Sequence, residues 1–126
     1  MIGYTMFGTN NFAKAVVFYD ELLALLGATR FLETDNFVAW SSGADKAGFS
    51  ITKPYDGQSA TVGNGTMIAL AVENPDQVDA FYAKAIALGA TDEGAPGPRE
   101  MPGFYAGYFR DLDGNKLNVF CFIQTA

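Results

Sequence analysis

Histidine and cysteine, which often act as bases, nucleophiles or metal ligands in proteins, are scarce in this sequence of 126 residues. It contains no histidine and one cysteine, Cys121. Without an imidazole, Ser41 and Ser42 have no partner that could activate them as nucleophiles in the manner of a Ser-His pair. Cys121 lies in an apolar run without a neighbouring base, which is typical of an inert core thiol. Nucleophilic catalysis of the Ser-His or Cys-His type is therefore not expected.

Charge and composition narrow the possible partners. The sequence has 14 acidic residues against 8 scattered Lys and Arg residues, a net charge of −6. Nucleic-acid binding is not expected, because phosphates are bound by clustered cations. Gly63-Asn64-Gly65-Thr66 leads into a predicted strand, so it lacks the helix N-terminus of a phosphate-binding loop. No membrane partner is expected either, because a membrane span needs about 20 consecutive apolar residues and no apolar stretch approaches that length.

The predicted cellular location follows from the cysteine count and the first residues. A single cysteine excludes a disulfide framework within the chain, which fits a reducing compartment. No basic and then apolar leader precedes the first predicted strand. We therefore expect a cytoplasmic globular protein.

One sequence pattern occurs twice. Phe18-Tyr19 is followed by Leu26-Gly27-Ala28-Thr29, and Phe81-Tyr82 by Leu88-Gly89-Ala90-Thr91. The offset is 63 for the first pair (81 − 18) and 62 for the second (88 − 26), so one deletion inside a helix brings the two halves into register. Repetition of this kind indicates two copies of one structural unit.

Apolar residues at helical spacing predict one helix in the first half. The helix begins after Asn10 or Asn11, either of which can cap it, and ends at Gly27. Strands are predicted at residues 2–7, 29–33, 37–41 and 48–53.

The second half repeats this order of elements. Asn74-Pro75 starts a helix that ends at Gly89. Strands are predicted at residues 66–72, 104–110 and 116–123, and Asp113-Gly114 marks a hairpin between the last two. The stretch 94–103 is rich in Pro and Gly and is predicted to be an exposed loop that carries Arg99 and Glu100.

These elements predict an α+β fold of two paired βαβββ modules that form a curved mixed sheet around a cleft. A four-stranded sheet with one helix leaves a bare face, so two modules must share a core. One helix per module argues against a doubly wound parallel sheet. We expect a single domain over residues 1–126, with a first module at about 1–55, a linker at about 56–65 and a second module at about 66–126.

The closing hairpin and the first helix together point to a known superfamily. Tyr108-Phe109-Arg110-Asp111-Leu112-Asp113-Gly114-Asn115-Lys116-Leu117, the Ala15-Val16-Val17-Phe18-Tyr19 helix and the paired modules resemble the vicinal-oxygen-chelate superfamily, which includes glyoxalase I, extradiol dioxygenases and bleomycin-resistance proteins. Leu112 stands where Pro is common in that motif. The resemblance covers essentially the whole chain. It implies the fold but no single activity, because the fold hosts lyases, isomerases, dioxygenases and non-catalytic drug binders.

In the catalytic members, four side chains from matching strands of the two modules bind one divalent metal. The resemblance assigns these positions to Tyr4, Ser50, Met67 and Asn118. A phenol, a hydroxyl, a thioether and an amide are poor ligands beside imidazole, carboxylate and thiolate. We therefore predict that the chain binds no metal and needs no cofactor.

Strand alternation assigns side chains to the predicted cleft. Leu117, Val119 and Cys121 are expected to pack on a helix, so the residues between them face the cleft. Trp40 is taken as the equivalent of Tyr108. The predicted ligand-binding residues are Tyr4, Trp40, Ser50, Met67, Tyr108, Asn118 and Phe120. Such a lining suits an apolar or aromatic small molecule, but the same side chains would serve equally as core, and backbone groups could satisfy the Asn118 amide.

Three functions remain open at this point. The first is a metal-free small-molecule-binding protein of the glyoxalase/bleomycin-resistance type. The second is a glyoxalase-like lyase or other enzyme that uses Tyr4, Glu33 or Glu100 as acid or base, although these residues form no recognisable constellation. The third is a structural or interaction module without a ligand. The resemblance also implies a homodimer, because many single-domain members pair their sheets.

Overall fold

A strand, a helix and three further strands occur twice in the protein. The structure is a computed structural model that describes residues 1–124. Two compact units divide the chain, Met1–Val62 and Gly63–Ala126. The predicted α+β class and the repeated βαβββ order are confirmed. The single-domain prediction stays a prediction, and the last two residues of its second module lie outside the described residues.

The first unit is a four-stranded mixed sheet with one helix. Its elements are β1 (Tyr4–Gly8), α1 (Phe12–Leu23), β2 (Thr29–Glu33), β3 (Phe37–Ser41) and β4 (Gly48–Thr52). The strand order is β1-β4-β3-β2, with β1 parallel to β4 and the other neighbours antiparallel.

The second unit has the same topology. Its elements are β5 (Ile68–Ala71), α2 (Pro75–Ala87), β6 (Thr91–Pro98), β7 (Phe104–Arg110) and β8 (Lys116–Phe122). The strand order is β5-β8-β7-β6, and again only the first pair of neighbours is parallel.

Both helices begin at the asparagines that the sequence indicated. The side chain of Asn11 accepts a hydrogen bond from the Lys14 amide at 3.2 Å, and that of Asn74 from the Gln77 amide at 2.9 Å. Each cap satisfies a backbone donor that has no partner within the helix. Among the residues that the structure describes, neither helix has the length and apolar character of a membrane span.

One face of each sheet packs against the helix of its own unit. In the first unit, the Tyr19 ring on α1 lies 4.7 Å from the Phe49 ring and 5.9 Å from the Trp40 ring. In the second unit, Phe81 on α2 lies 6.2 Å from Phe109 on β7. The predicted helix-facing residues of β8, namely Leu117, Val119 and Cys121, are buried there.

The loop prediction for residues 94–103 is wrong over its first half. Residues Thr91–Pro98 form β6, an edge strand that pairs with β7 through two register shifts on either side of Gly94. Bulges and edge positions tolerate Gly and Pro, which a central strand does not. The Tyr82 hydroxyl on α2 donates to Asp92 at 2.5 Å and fastens β6 to the helix. Burial and this hydrogen bond raise the pKa of Tyr82 to about 12.

An ion-pair cluster joins α1 to the edge strand β2. The Arg30 guanidinium donates to Asp20 at 2.5 and 2.9 Å and to Glu33 at 2.7 Å, and the Trp40 indole N–H donates to Asp20 at 2.8 Å. The hydrogen bond from Arg30 lowers the pKa of Asp20, partial burial opposes that shift, and the Trp40 hydrogen bond adds to it. The ionised form of Asp20 is therefore stabilised in the folded protein.

Because of this cluster, the stability of the protein is expected to vary with pH in the acid range. The folded protein holds the pKa of Asp20 below its unfolded value of about 3.9, so the contribution is complete above that value and is lost as the pH falls through the folded pKa. We expect Asp20→Asn to be less stable than the wild type near neutral pH and to match it at the acid end. Urea unfolding of both proteins across the acid range measures the difference, and a gap that stays constant with pH would contradict this assignment.

Candidate functional site

Each sheet has a second face that carries no helix of its own unit. In the second unit we call it the helix-distal face, formed by alternate residues of three strands. They are Ala69 and Ala71 on β5, Lys116, Asn118, Phe120 and Phe122 on β8, and Phe104, Ala106, Tyr108 and Arg110 on β7. Strand register aligns Ala69, Asn118 and Tyr108 in one row across the sheet. Three predicted ligand-binding residues, Tyr108, Asn118 and Phe120, therefore lie together.

Asn118 is the one polar group at the centre of the helix-distal face. The residue is only 2% exposed, and its Oδ1 atom is buried without a hydrogen-bond partner. No backbone donor satisfies this atom, although the sequence left that possibility open. A buried acceptor without a partner costs about 1–3 kcal/mol, and such atoms are uncommon in folded proteins. Asn118 therefore carries a buried hydrogen-bond acceptor that no described group of the chain uses.

Two cations flank the Tyr108 ring. The guanidinium carbon of Arg99 lies 5.3 Å from the ring centroid, and Lys116 Nζ lies 5.6 Å from it. β7 lies between β6 and β8, so one cation comes from the end of β6 and the other from the start of β8. The Arg99 guanidinium also donates to the Ala95 carbonyl at 2.7 Å. Cation–π contacts of this geometry hold both charges beside the ring.

Gly94 makes room for this arrangement. Its φ of +150° is a conformation that few other residues adopt. A Cβ atom at position 94 would lie 3.3 Å from Arg99 Nη2 and 3.4 Å from Tyr108 Cδ1. The bulge that the sequence did not predict is thus what brings Arg99 to Tyr108. The signal available in the sequence was the Gly and Pro content of an edge strand.

Arg110 completes the charged end of the helix-distal face, but it is paired. Its side chain donates to Glu93 at 2.5 Å and to the Gly114 carbonyl at 2.9 Å. Across the part of the chain that the structure describes, Arg99 and Lys116 form no ion pair. These two charges are consequently available to a ligand.

Three phenylalanines form the opposite end of the helix-distal face. Phe104 lies 5.4 Å from Phe120 and 5.3 Å from Phe122, and the rings of Phe120 and Phe122 are 5.8 Å apart. Phe122 is 56% exposed, while the other two are half-buried. Phe104 was absent from the predicted site, although alternation back from Tyr108 along β7 would have found it. This end can take up an aromatic or aliphatic group.

Three other predicted ligand-binding residues, Met67, Tyr4 and Ser50, do not belong to the helix-distal face. Met67 precedes β5 and is 41% exposed. In the first unit, Tyr4 and Ser50 share the sheet face that is turned away from α1. Ser50 is fully buried, and its hydroxyl donates to the Thr5 carbonyl at 2.7 Å. Tyr4 is 61% exposed, with its ring 6.4 Å from that of Phe37.

An open depression of about 440 Å³ lies elsewhere in the first unit. Residues of β2, β3 and the loop after β3 line it, among them Phe31, Ser41 and Lys46. None of the predicted ligand-binding residues contributes to this depression.

The expectation that Trp40 faces the same way as Tyr108 is wrong. Trp40 is 1% exposed and lies against α1, with its indole N–H bonded to Asp20. Tyr108 pairs with Asn118, whereas the residue that pairs with Ser50 in the first unit is Ala39. The two halves differ by one residue in this strand, and a shift of one residue moves a side chain to the opposite face.

The four positions that the resemblance assigns to a metal do not suit one. Ser50 is committed to a backbone carbonyl, and Tyr4, Met67 and Asn118 offer a phenol, a thioether and a neutral amide. Zinc and the other transition-metal ions in proteins are held mainly by imidazole, carboxylate or thiolate. Within residues 1–124, no group of three or more His, Cys, Asp or Glu side chains is placed to hold a metal ion. These residues therefore do not fit the metal of the catalytic members.

Comparison with known proteins identifies the family. Residues 1–119 match the model of the Glyoxalase/Bleomycin resistance protein/Dioxygenase superfamily. A glyoxalase/bleomycin resistance protein from Albidiferax ferrireducens T118 is 37% identical, with 96% of this chain and 98% of that chain covered and a TM-score of 0.87. The chain belongs to this superfamily, as the repeat and the closing hairpin predicted.

More distant structures share the fold. A glyoxalase/bleomycin resistance protein/dioxygenase family enzyme from Burkholderia phytofirmans PsJN is 17% identical, with 96% and 98% of the two chains covered and a TM-score of 0.77. A lactoylglutathione lyase from Agrobacterium tumefaciens is 20% identical, with 96% and 92% covered and a TM-score of 0.72. No curated protein is similar enough to this chain to count as a relative.

Proposed function

We propose that this protein binds a small organic molecule and does so without a metal ion. The observation that carries the proposal is the buried, unpartnered Oδ1 of Asn118 on an otherwise largely apolar sheet face. Ligand sites commonly combine an apolar lining with a few convergent polar groups. Asn118, Tyr108 and the phenylalanines of the helix-distal face supply that combination.

The chemistry of the ligand positions supports the metal-free part of the proposal. The chain has no histidine, and the amide at position 118 is a hydrogen-bonding group rather than a strong metal ligand. The hydroxyl of Ser50 already has a backbone partner. A hydrogen-bonded organic ligand therefore suits these side chains better than a divalent cation.

A metal-free acid–base enzyme has less support from the same residues. The Glu33 carboxylate accepts from Arg30 at 2.7 Å on the exposed strand β2. Glu100 is exposed in the bend after β6. Neither residue is part of the helix-distal face, so neither supports an acid–base role for that surface.

A thermal-shift screen tests the proposal. We expect aromatic or apolar organic compounds to raise the melting temperature, because a ligand that binds only the folded state stabilises it by mass action. Divalent metals and a chelator should have no effect on the melting temperature or on the response to the organic compounds. The screen uses the full chain and compares each compound with and without chelator.

Two results would overturn different parts of this proposal. Stabilisation by a divalent metal that chelator reverses would restore a glyoxalase-like metal site. Failure of every organic compound to stabilise the protein would favour a module without a ligand.

The proposal includes a homodimer and a cytoplasmic location, which the superfamily resemblance and the sequence imply. Tyr4 and Met6 on the edge strand β1 are 61% and 54% exposed, which leaves apolar surface available for association. Size-exclusion chromatography with light scattering should give twice the chain mass of 13.5 kDa. A single species at the mass of one chain would exclude the dimer.

A further inference from the structure

Positive charge is concentrated at one end of the helix-distal face, although the protein as a whole is negatively charged. The chain carries a net charge of −6, yet Arg99, Arg110 and Lys116 meet around Tyr108 and the start of β8. Glu93 neutralises Arg110, whereas Arg99 and Lys116 pair with no carboxylate within residues 1–124. Two uncompensated cations on an acidic protein are suited to an anionic partner.

The side chains of β8 on the helix-distal face change from charged to polar to apolar along the strand. Lys116 lies at one end, Asn118 two residues further, and Phe120 and Phe122 at the other end. Side chains two residues apart on one face are about 7 Å apart along the strand. That spacing is comparable with the distance between two groups at opposite positions of a benzene ring. Lys116 Nζ lies 5.6 Å from the ring centroid of Tyr108, which is paired with Asn118, so a ligand about one ring in length can lie beside both Lys116 and Asn118.

Asn118 specifies a second polar group on the ligand. Its Oδ1 accepts no hydrogen bond from the chain, and an amide oxygen can be satisfied only by a donor. A hydroxyl or N–H on the ligand meets this need. The neighbouring Tyr108 and Phe120 rings are half-buried and can pack against an aromatic ring.

We infer that the ligand of the helix-distal face is a small aromatic acid with a hydrogen-bond donor on the ring. Its ionised acidic group binds Arg99 and Lys116, its ring packs on Tyr108 and Phe120, and its donor satisfies Asn118. This assignment rests on the proposed function and adds the charge and the polarity pattern of the ligand. It adds a negative charge to the apolar or aromatic ligand that the sequence favoured, because the clustering of Arg99 and Lys116 is visible only in the folded sheet.

Calorimetric titration of the full chain with three matched probes tests this inference. Para-hydroxybenzoate carries both polar groups, benzoate lacks the donor, and para-hydroxybenzamide lacks the charge. We expect para-hydroxybenzoate to bind best and the neutral amide to bind about ten-fold more weakly, the order of one charge-assisted hydrogen bond. The affinity of the protein for para-hydroxybenzoate should also fall with rising salt, because exposed charge pairs are screened.

Variants separate the cations from the rest of the surface. Lys116→Gln and Arg99→Gln should each weaken para-hydroxybenzoate about five- to ten-fold and leave the neutral amide unchanged. Lys14→Gln, on the exposed side of α1, removes the same charge from the protein and should change neither probe. The melting temperature of each variant without probe shows that it is folded.

The possible outcomes distinguish this inference from the proposed function. Equal binding of the acid and the amide, or an unchanged affinity in Lys116→Gln and Arg99→Gln, overturns the anionic ligand and leaves a small-molecule site intact. The same holds if none of the three probes binds while neutral aromatic compounds stabilise the protein in the thermal screen. If no organic compound binds at all, the proposed function itself fails.

Discussion

Replacing Trp40 with alanine is expected to destabilise the protein by about 3–5 kcal/mol, the usual loss for a buried tryptophan in a core. Trp40 is 1% exposed, packs against Tyr19 and donates a hydrogen bond to Asp20. Its removal leaves a cavity between the sheet and α1 and takes a donor from Asp20. Urea unfolding of the wild type and the variant gives the difference in the free energy of unfolding.

A conservative variant shows whether Trp40 has only this structural role. Trp40→Phe keeps a ring in the core and loses the indole donor, so we expect a smaller loss of about 1–2 kcal/mol. Its affinity for para-hydroxybenzoate should equal that of the wild type, because the side chain lies on the helix side of its sheet. A destabilisation of Trp40→Ala below about 1 kcal/mol would be incompatible with a core residue, and a changed affinity in Trp40→Phe would return it to the ligand site.

Asn118→Leu is expected to stabilise the free protein and to impair ligand binding. Leucine has the same branching as asparagine but no acceptor to leave unpaired, so the free energy of unfolding should rise by about 1–2 kcal/mol. The affinity for para-hydroxybenzoate should fall about ten-fold or more, towards that of benzoate, because the ring hydroxyl loses its acceptor. A gain in stability with a loss of function is the pattern expected where a binding site carries an energetic cost.

The equivalent residue of the first unit is a matched control for this prediction. Ser50 is also buried on the fourth strand of its unit, but its hydroxyl donates to the Thr5 carbonyl at 2.7 Å. Ser50→Ala should therefore lose about 1 kcal/mol. If Asn118→Leu loses stability as Ser50→Ala does, the Asn118 amide has a partner in solution and its assignment as a ligand acceptor is wrong.

The local order of elements could be predicted because its signals are local. Asn11 and Asn74 cap the helices at the expected places, and the Asp113-Gly114 turn joins β7 to β8 as expected. The strand alternation from which Leu117 was predicted to face the helix and Asn118 to face away from it also depends only on neighbouring residues. Two copies of the pattern were therefore enough to predict the fold, and the resemblance of the closing hairpin and the first helix pointed to the superfamily.

The predictions that failed depend on pairing between strands. Gly94 and Pro98 are poor strand residues, and they fit β6 only because it is an edge strand with two register shifts. Trp40 was assigned to the wrong face because alignment of the halves was one residue out in β3. Neither error can be seen without knowing which residue lies opposite which.

Sequence alone thus determined the repeated βαβββ order, the α+β class, the absence of histidine and the position of Asn118 beside apolar neighbours. Only the tertiary structure decided that Asn118 Oδ1 lacks a partner, that Trp40 belongs to the core and that Arg99 reaches Tyr108. Helix caps, turns and alternation are encoded over a few residues and can be read along the chain. Hydrogen-bond satisfaction and the clustering of charge depend on residues far apart in sequence, and strand register brings these together.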